Sequence, residues 1–121
     1  MTPYTDAEIR ELLERDEGQF LERKSLWDQG PGGPRTLDRR TVRDAIAECV
    51  AAFANADGGD LVLGAEDDGE PTGHGYPAEA VDEFFLAPER RLRPPVNVRT
   101  HRAEVDGKEL LLLRLRAIAP T

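Results

Sequence analysis

Residues 41–63 read TVRDAIAECVAAFANADGGDLVL, and this stretch predicts a helix, a turn and a buried strand in succession. The apolar residues of its first part recur at helical spacing and lie on one side of a helix: Val42, Ile46, Cys49, Val50 and Phe53. Asn55 is expected to cap the end of this helix, and the pair Gly58-Gly59 forms the turn. The run from Leu61 to Leu63 is typical of a strand that is covered on both faces.

A helix and a short strand are predicted before this stretch. Thr5 and Glu8 have the spacing of a capping box, and apolar residues follow it at helical intervals. Gly18 is expected to end this first helix, because glycine readily adopts the left-handed conformation that follows a helix. Residues 19–25 then favour a strand. The chain therefore enters the central helix from a strand and a loop.

A third helix and a hairpin are predicted after it. The helix extends from Ala78 to about Leu86 and is expected to end before Pro88. Asp106-Gly107 favours a two-residue turn with positive φ at both positions, between a strand that ends near Val105 and a return strand over residues 109–118. Four consecutive leucines in the return strand indicate either a central position in the sheet or a strand that is covered by a partner. The pattern predicts one α+β domain over residues 1–121, with a mixed sheet, about three helices and a C-terminal β-hairpin.

Composition excludes several classes of protein. Lys and Arg number 16 and Asp and Glu 24, so the formal net charge is −8. No apolar run has the length of a membrane span, and the N-terminus lacks the features of a signal peptide, so a cytoplasmic protein without a membrane partner is expected. The single cysteine, Cys49, excludes a disulfide framework and a cysteine-based zinc site. The loop over residues 29–35 is followed by no Lys-Ser or Lys-Thr, so it is not an ATP-binding phosphate loop.

Positive charge is concentrated in two segments despite the acidic total. The larger segment contains five arginines and no acid: Arg90, Arg91, Arg93, Arg99 and Arg102. The smaller one has only Asp38 as a counter-charge: Arg35, Arg39, Arg40 and Arg43. Binding to nucleic acid requires several such side chains on phosphates. We expect the larger segment to contact RNA or DNA.

Three carboxylates have a spacing that suggests a metal site. Glu17 follows the first helix, Glu22 lies on the first strand, and Asp67 follows the second strand. If the two strands are neighbours, these acids can converge near one end of the sheet, where oxygen ligands suit Mg²⁺ or Mn²⁺. Lys24 emerges on the same face of the strand as Glu22 and can orient a phosphate. In a chain with 24 acids, solvated surface charge is the alternative interpretation.

Three blocks of the sequence resemble the Schlafen AlbA-type domain family. They are EGQFLERK over residues 17–24, AAFANADGG over residues 51–59, and LVLGAEDDG over residues 61–69. The resemblance covers most of residues 5–118 and implies a nucleic-acid-acting domain. In bacteria such domains are described as DNA-binding modules of regulators. In animal Schlafen proteins two related lobes form a metal-dependent endoribonuclease for structured RNA, whose acids match Glu17, Glu22 and Asp67.

The resemblance leaves three functions open. The first is an endoribonuclease that uses Mg²⁺ or Mn²⁺, with catalytic residues Glu17, Glu22, Asp67 and Lys24; a single lobe would then act as a homodimer. The second is a non-catalytic DNA-binding or dimerisation module, and the third is a scaffold segment. Many relatives continue beyond the position of Thr121, as expected if this chain is the N-terminal part of a longer protein. Arg23 replaces a family Phe, which brings a charge to the inner face of the first strand.

Overall fold

The computed structural model describes residues 4–116, which contain three helices and six strands. The helices are α1 (Asp6–Glu14), α2 (Arg39–Ala54) and α3 (Ala78–Arg91). The strands are β1 (Leu21–Lys24), β2 (Trp27–Asp28), β3 (Arg35–Thr36), β4 (Gly58–Leu63), β5 (Arg99–Val105) and β6 (Lys108–Arg116). No helix within these residues is long and apolar enough to cross a membrane. Residues 117 and 118 of the expected return strand lie outside the described part.

Four strands form one mixed sheet in the order β1-β4-β6-β5. β1 runs parallel to β4, while β6 is antiparallel to both of its neighbours. β2 and β3 form a separate two-stranded ladder on either side of the loop at residues 29–34. The mixed sheet, the three helices and the β5–β6 hairpin confirm the predicted fold class.

The central strands β4 and β6 are buried on both faces, which divides the core into two layers. Side chains that alternate along a strand point to opposite faces of the sheet. Leu61, Leu63, Leu111 and Leu113 pack with α2 and α3. Val62, Leu110 and Leu112 pack with α1. Both strands are therefore continuous apolar runs, as the sequence predicted.

Two turns depend on left-handed backbone conformations. Asp106 and Gly107 have φ values of 52° and 77°, which confirms the predicted hairpin turn. Gly69, in the turn after β4, has a φ of +91°, and a Cβ there would lie 1.9 Å from the carbonyl oxygen of Leu13. This turn can therefore approach the end of α1 only with glycine at that position.

Arg23 fastens β1 to the end of α1. It is buried, with 5% of its surface exposed. Its guanidinium donates to the carbonyl oxygens of Leu12 at 2.8 Å and Arg15 at 2.6 Å, and to that of Asp67 at 2.9 Å. Carbonyls at a helix C-terminus lack partners within the helix and carry partial negative charge, so they can satisfy a buried cation without a carboxylate. The Arg23 side chain turns inward; the sequence placed a charge at this inner-face position without deciding whether it would turn outward.

Two predicted helix ends are wrong. α1 ends at Glu14, not at Gly18, because Arg15 already adopts an extended conformation and its carbonyl bonds Arg23. α3 continues through Pro88 to Arg91. Proline lacks one backbone donor, but Pro88 is buried on the inner side of the helix, where packing supports it. Asn55 caps α2 as expected, but in a right-handed conformation, and Asp57 takes the positive φ.

Replacing Arg23 with Met is expected to lower the free energy of unfolding by about 2 kcal/mol or more, because three carbonyl oxygens lose their donor. Urea unfolding followed by circular dichroism measures the change. Arg10→Met, at an exposed position on α1, is the control and should remain within about 0.5 kcal/mol of wild type. Equal stability of Arg23→Met and wild type would contradict the anchoring role of the guanidinium.

Candidate functional site

Glu22 and Lys24 line a cavity between β1 and α2. The alternation that turns Arg23 toward α1 turns both of its neighbours toward α2. Their side chains form an ion pair of 3.7 Å, and each is a little over one-third exposed. The cavity has a volume of about 460 Å³, and the residues that line it are Gly18, Gln19, Glu22, Lys24, Ala45, Glu48, Cys49, Ala52, Phe53 and Ala56. The structure thus brings two of the four predicted catalytic residues together.

Cys49 forms the inner wall of this cavity and is buried. Burial raises the pKa of the thiol far above its usual range, and the adjacent Glu22 carboxylate raises the pKa further. The ammonium group of Lys24 acts in the opposite direction on the same pKa. The thiol therefore stays protonated at neutral pH, and it is buried in the apolar stripe of α2 as the sequence predicted.

Glu17 and Asp67 lie apart from this cavity lining. The Glu17 carboxylate accepts a hydrogen bond from the backbone N–H of Arg23 at 2.9 Å, on the outer edge of β1. Asp67 contributes its carbonyl oxygen to the Arg23 guanidinium. Residues 4–116 contain no group of three or more His, Cys, Asp or Glu side chains arranged to hold a metal ion. The described chain does not gather the three acids around one point, and the assignment of Mg²⁺ or Mn²⁺ to them stays a prediction.

The arginines of residues 90–102 do not share one face. Arg93 donates to the carbonyl oxygens of Arg90 and Leu92 at the end of α3. Arg99 and Arg102 are three residues apart on β5, so they lie on opposite faces of the sheet. Arg102 is already engaged, because it donates two hydrogen bonds to Glu109 at 2.9 and 3.1 Å. Arg90 and Arg91 are adjacent at the end of α3, and Arg91 forms an ion pair with Asp44.

A groove between α2 and α3 joins Arg90 and Arg91 to the smaller basic segment. We call it the arginine groove; it has a volume of about 310 Å³, and its lining residues are Arg40, Arg43, Glu83, Ala87, Arg90 and Arg91. Arg43 pairs with Glu83 at 3.1 Å, and Arg91 pairs with Asp44. Arg40 and Arg90 are exposed and form no ion pair within residues 4–116. Two guanidinium groups from distant parts of the chain are thus free to bind an anion.

The sequence analysis identified the two basic segments but did not predict that they line one groove. Arg40 and Arg43 have the i, i+3 spacing that places them on one side of α2, which is a signal that the sequence contains. Another pair, Arg39 with Glu79 at 3.7 Å, lies one helical turn before Arg43 and Glu83.

Sequence reasoning also missed His74, whose Nε2 lies 2.8 Å from Glu109 and whose side chain is 4% exposed. No local pattern marks that contact, because it links a loop to β6.

Comparisons with known proteins agree with this fold. A family model described as Schlafen, AlbA_2 matches residues 17–119. A solution structure of the N-terminal domain of the "Putative ATP-dependent DNA Helicase RecG-related Protein" from Nitrosomonas europaea is similar, with a TM-score of 0.64 and 24% identity. That match covers 92% of this chain and 71% of the other. A search of the curated proteins found no match.

A second solved structure is the DIP2311 protein from Corynebacterium diphtheriae, with a TM-score of 0.65 and 22% identity. The match covers 93% of this chain but only 26% of the DIP2311 chain. The present chain thus spans about a quarter of that protein. At these identities the two solved structures support the fold and carry no residue roles.

Glu22→Gln is expected to speed the reaction of Cys49 with an aromatic disulfide reagent several-fold, because it removes a negative charge that raises the pKa of the thiol. The rate is followed by absorbance at constant pH under native conditions. Glu48→Gln is the matched control, since Glu48 lines the same cavity without being a cause of the raised pKa. Equal rates for Glu22→Gln and wild type would contradict the contact between Glu22 and Cys49.

Proposed function

The chain belongs to the Schlafen AlbA_2 family, and from this we propose that it binds nucleic acid by holding the phosphate backbone in the arginine groove. Guanidinium groups suit this task because they are always charged and their planar N–H groups match phosphate oxygens. Phosphate contacts fix the position of a protein on nucleic acid without reading its sequence. RNA and DNA both present these phosphates, so the groove chemistry accepts either polymer.

This proposal rests on one observation, which is that Arg40 and Arg90 line the same groove. The two side chains come from separate basic segments, line one groove, and have no ion-pair partner within residues 4–116. Arg43 and Arg91 line the groove beside them with acidic partners, so the groove keeps a positive excess. A net charge of −8 opposes binding over the rest of the surface. Binding is therefore local and depends strongly on salt.

Relatives support the same class of ligand. The N. europaea protein has a name that describes a DNA helicase related to RecG, and its N-terminal domain has the fold described above. A non-catalytic DNA-binding module requires only the fold and a basic surface. The arginine groove meets that requirement without a metal ion, without ATP and without a second chain.

Arg40→Ala combined with Arg90→Ala should weaken binding to a fluorescent duplex about tenfold or more at low salt. It should also reduce the slope of log K against log salt by about 2, because each phosphate contact contributes about 0.9. Neither substitution breaks an ion pair within residues 4–116, so the fold should be retained. Fluorescence anisotropy at several salt concentrations measures both quantities.

The control is Arg10→Ala with Arg116→Ala, which removes the same charge from exposed positions outside the groove. Its affinity and salt slope should stay close to those of wild type. Equal losses in the two double variants would show that binding follows net charge only, and would contradict the groove.

A metal-dependent endoribonuclease for structured RNA is the second candidate function. Glu22 and Lys24 favour it, since they are paired in an open cavity that also contains Glu48. In this proposal Lys24 orients the phosphate, and Glu17, Glu22 and Asp67 are the ligands that the family resemblance implies for Mg²⁺ or Mn²⁺. The separation of these acids in the described chain opposes it, and a homodimer is the assembly in which we would seek a complete site.

Incubation of the purified protein with transfer RNA and either Mg²⁺ or Mn²⁺ tests the nuclease. If the second candidate is correct, RNA fragments accumulate with wild type, and Glu22→Gln reduces the cleavage rate at least about a hundredfold, as expected for loss of an essential charged group. Glu48→Gln, in the same cavity, controls for a general change of charge. No cleavage with either metal, or cleavage that survives Glu22→Gln, would contradict this function and leave the binding module.

A further inference from the structure

The two edges of the sheet differ in whether their outward backbone groups form hydrogen bonds. At the β1 edge, the Glu17 carboxylate accepts the outward N–H of Arg23, and Leu21 pairs with Gly18 through backbone hydrogen bonds of 3.2 and 3.3 Å. At the β5 edge, within residues 4–116, no strand pairs with the outer side, and no backbone–backbone hydrogen bond outside the β5–β6 ladder involves residues 99–105. β5 pairs with β6 over all seven residues without a bulge, and it contains no proline. An open, regular edge of this kind is a template for another strand.

The turn of the β5–β6 hairpin shows which backbone groups face outward. In a two-residue hairpin the residues on either side of the turn, here Val105 and Lys108, bond to each other. The alternate residues along β5 therefore direct their N–H and C=O groups away from β6. These residues are Thr100, Arg102 and Glu104.

We propose that a second copy of this chain pairs with this edge, β5 against β5 in antiparallel orientation, about a two-fold axis at Ala103. In that register Arg102 of each copy lies opposite Glu104 of the other, and the outward backbone groups of both residues are exchanged as hydrogen bonds. Cross-strand pairs of opposite charge stabilise such a ladder. The dimer has one continuous sheet in which β5 is no longer an edge.

Charge selects this register. A two-fold axis one residue earlier would place Arg102 opposite Arg102, and one residue later it would place Glu104 opposite Glu104, and like charges directly opposite are unfavourable. Within a single chain Glu104 already lies opposite Glu109, which is occupied by Arg102 and His74. Glu104 has no ion-pair partner of its own within residues 4–116. Arg102 of the second copy, which also donates to Glu109 of its own chain, lies opposite Glu104 and brings a positive charge to it.

The axis is perpendicular to the sheet, so α2 and α3 of both copies lie on the same face. Where the proposed nucleic-acid function holds, two arginine grooves then face one polymer, and the second contact strengthens binding without new residues. The dimer itself does not require nucleic acid. Its failure and the failure of the nucleic-acid proposal are therefore measured separately.

Sedimentation equilibrium of the 121-residue protein in the absence of nucleic acid tests the interface. Wild type should dimerise reversibly, and Glu104→Arg should raise the dissociation constant about tenfold or more, because two attractive pairs become two repulsive ones. The substitution also places Arg opposite Glu109 within the same chain, so the thermal midpoint should not fall. Glu14→Arg, at an exposed position on α1, is the control with the same change of charge and should dimerise like wild type.

Charge exchange gives a second, independent readout. A mixture of Glu104→Arg and Arg102→Glu chains should form a heterodimer, although neither chain dimerises alone, because each Arg again meets a Glu. If Arg102→Glu fails to fold, a second variant, Glu104→Pro, tests the interface instead. It removes the outward backbone N–H of residue 104 and should give a monomer. A wild-type monomer at every concentration, or a dimer that tolerates Glu104→Arg, would overturn the proposal.

Discussion

The hydrogen bonds of the Arg23 guanidinium are the interaction on which the arrangement of the rest of this domain depends. The guanidinium connects β1 to the end of α1 and to the turn after β4 through three carbonyl oxygens, and it forms no ion pair with a carboxylate of residues 4–116. A shift of β1 by one residue would leave the three carbonyl oxygens without the Arg23 donor. It would also turn Glu22 or Lys24 toward α1. The register of the edge strand thus depends on one buried charge, whose Nη atoms donate to a helix end and a turn, while its Nε has no hydrogen-bond partner within residues 4–116.

This constraint explains the distribution of chemistry over the molecule. Because Arg23 faces α1, Glu22 and Lys24 must face α2, where they line the cavity beside Cys49. Glu17 is drawn to the backbone N–H of Arg23 and protects the sheet edge there. Acids that are close in sequence therefore serve separate structural roles. The arginines for which we propose anion binding lie on the other flank of α2, in the arginine groove.

The sequence predicts best where one periodic pattern is enough. The apolar stripe of α2, the four leucines of β6 and the Asp106-Gly107 turn were all predicted correctly, because helical spacing, strand burial and turn chemistry are local. Pro88 misled the prediction of α3, since tertiary packing outweighs the local cost of proline. The arginine groove could not be derived, because it depends on how α2 packs beside α3, which the spacing within either helix leaves open. The hydrogen-bond partners of Arg23 could not be predicted either, because they are backbone carbonyl oxygens, which no residue type marks in the sequence.

The most direct test of the central claim is a titration of isotope-labelled protein with a short oligonucleotide, followed by amide chemical shifts. The account predicts saturable changes concentrated at residues 39–44 and 83–91, on the facing sides of α2 and α3, which disappear as salt is raised. Changes confined to β1 and the cavity beside Cys49, or no change at low salt, would contradict binding in the arginine groove.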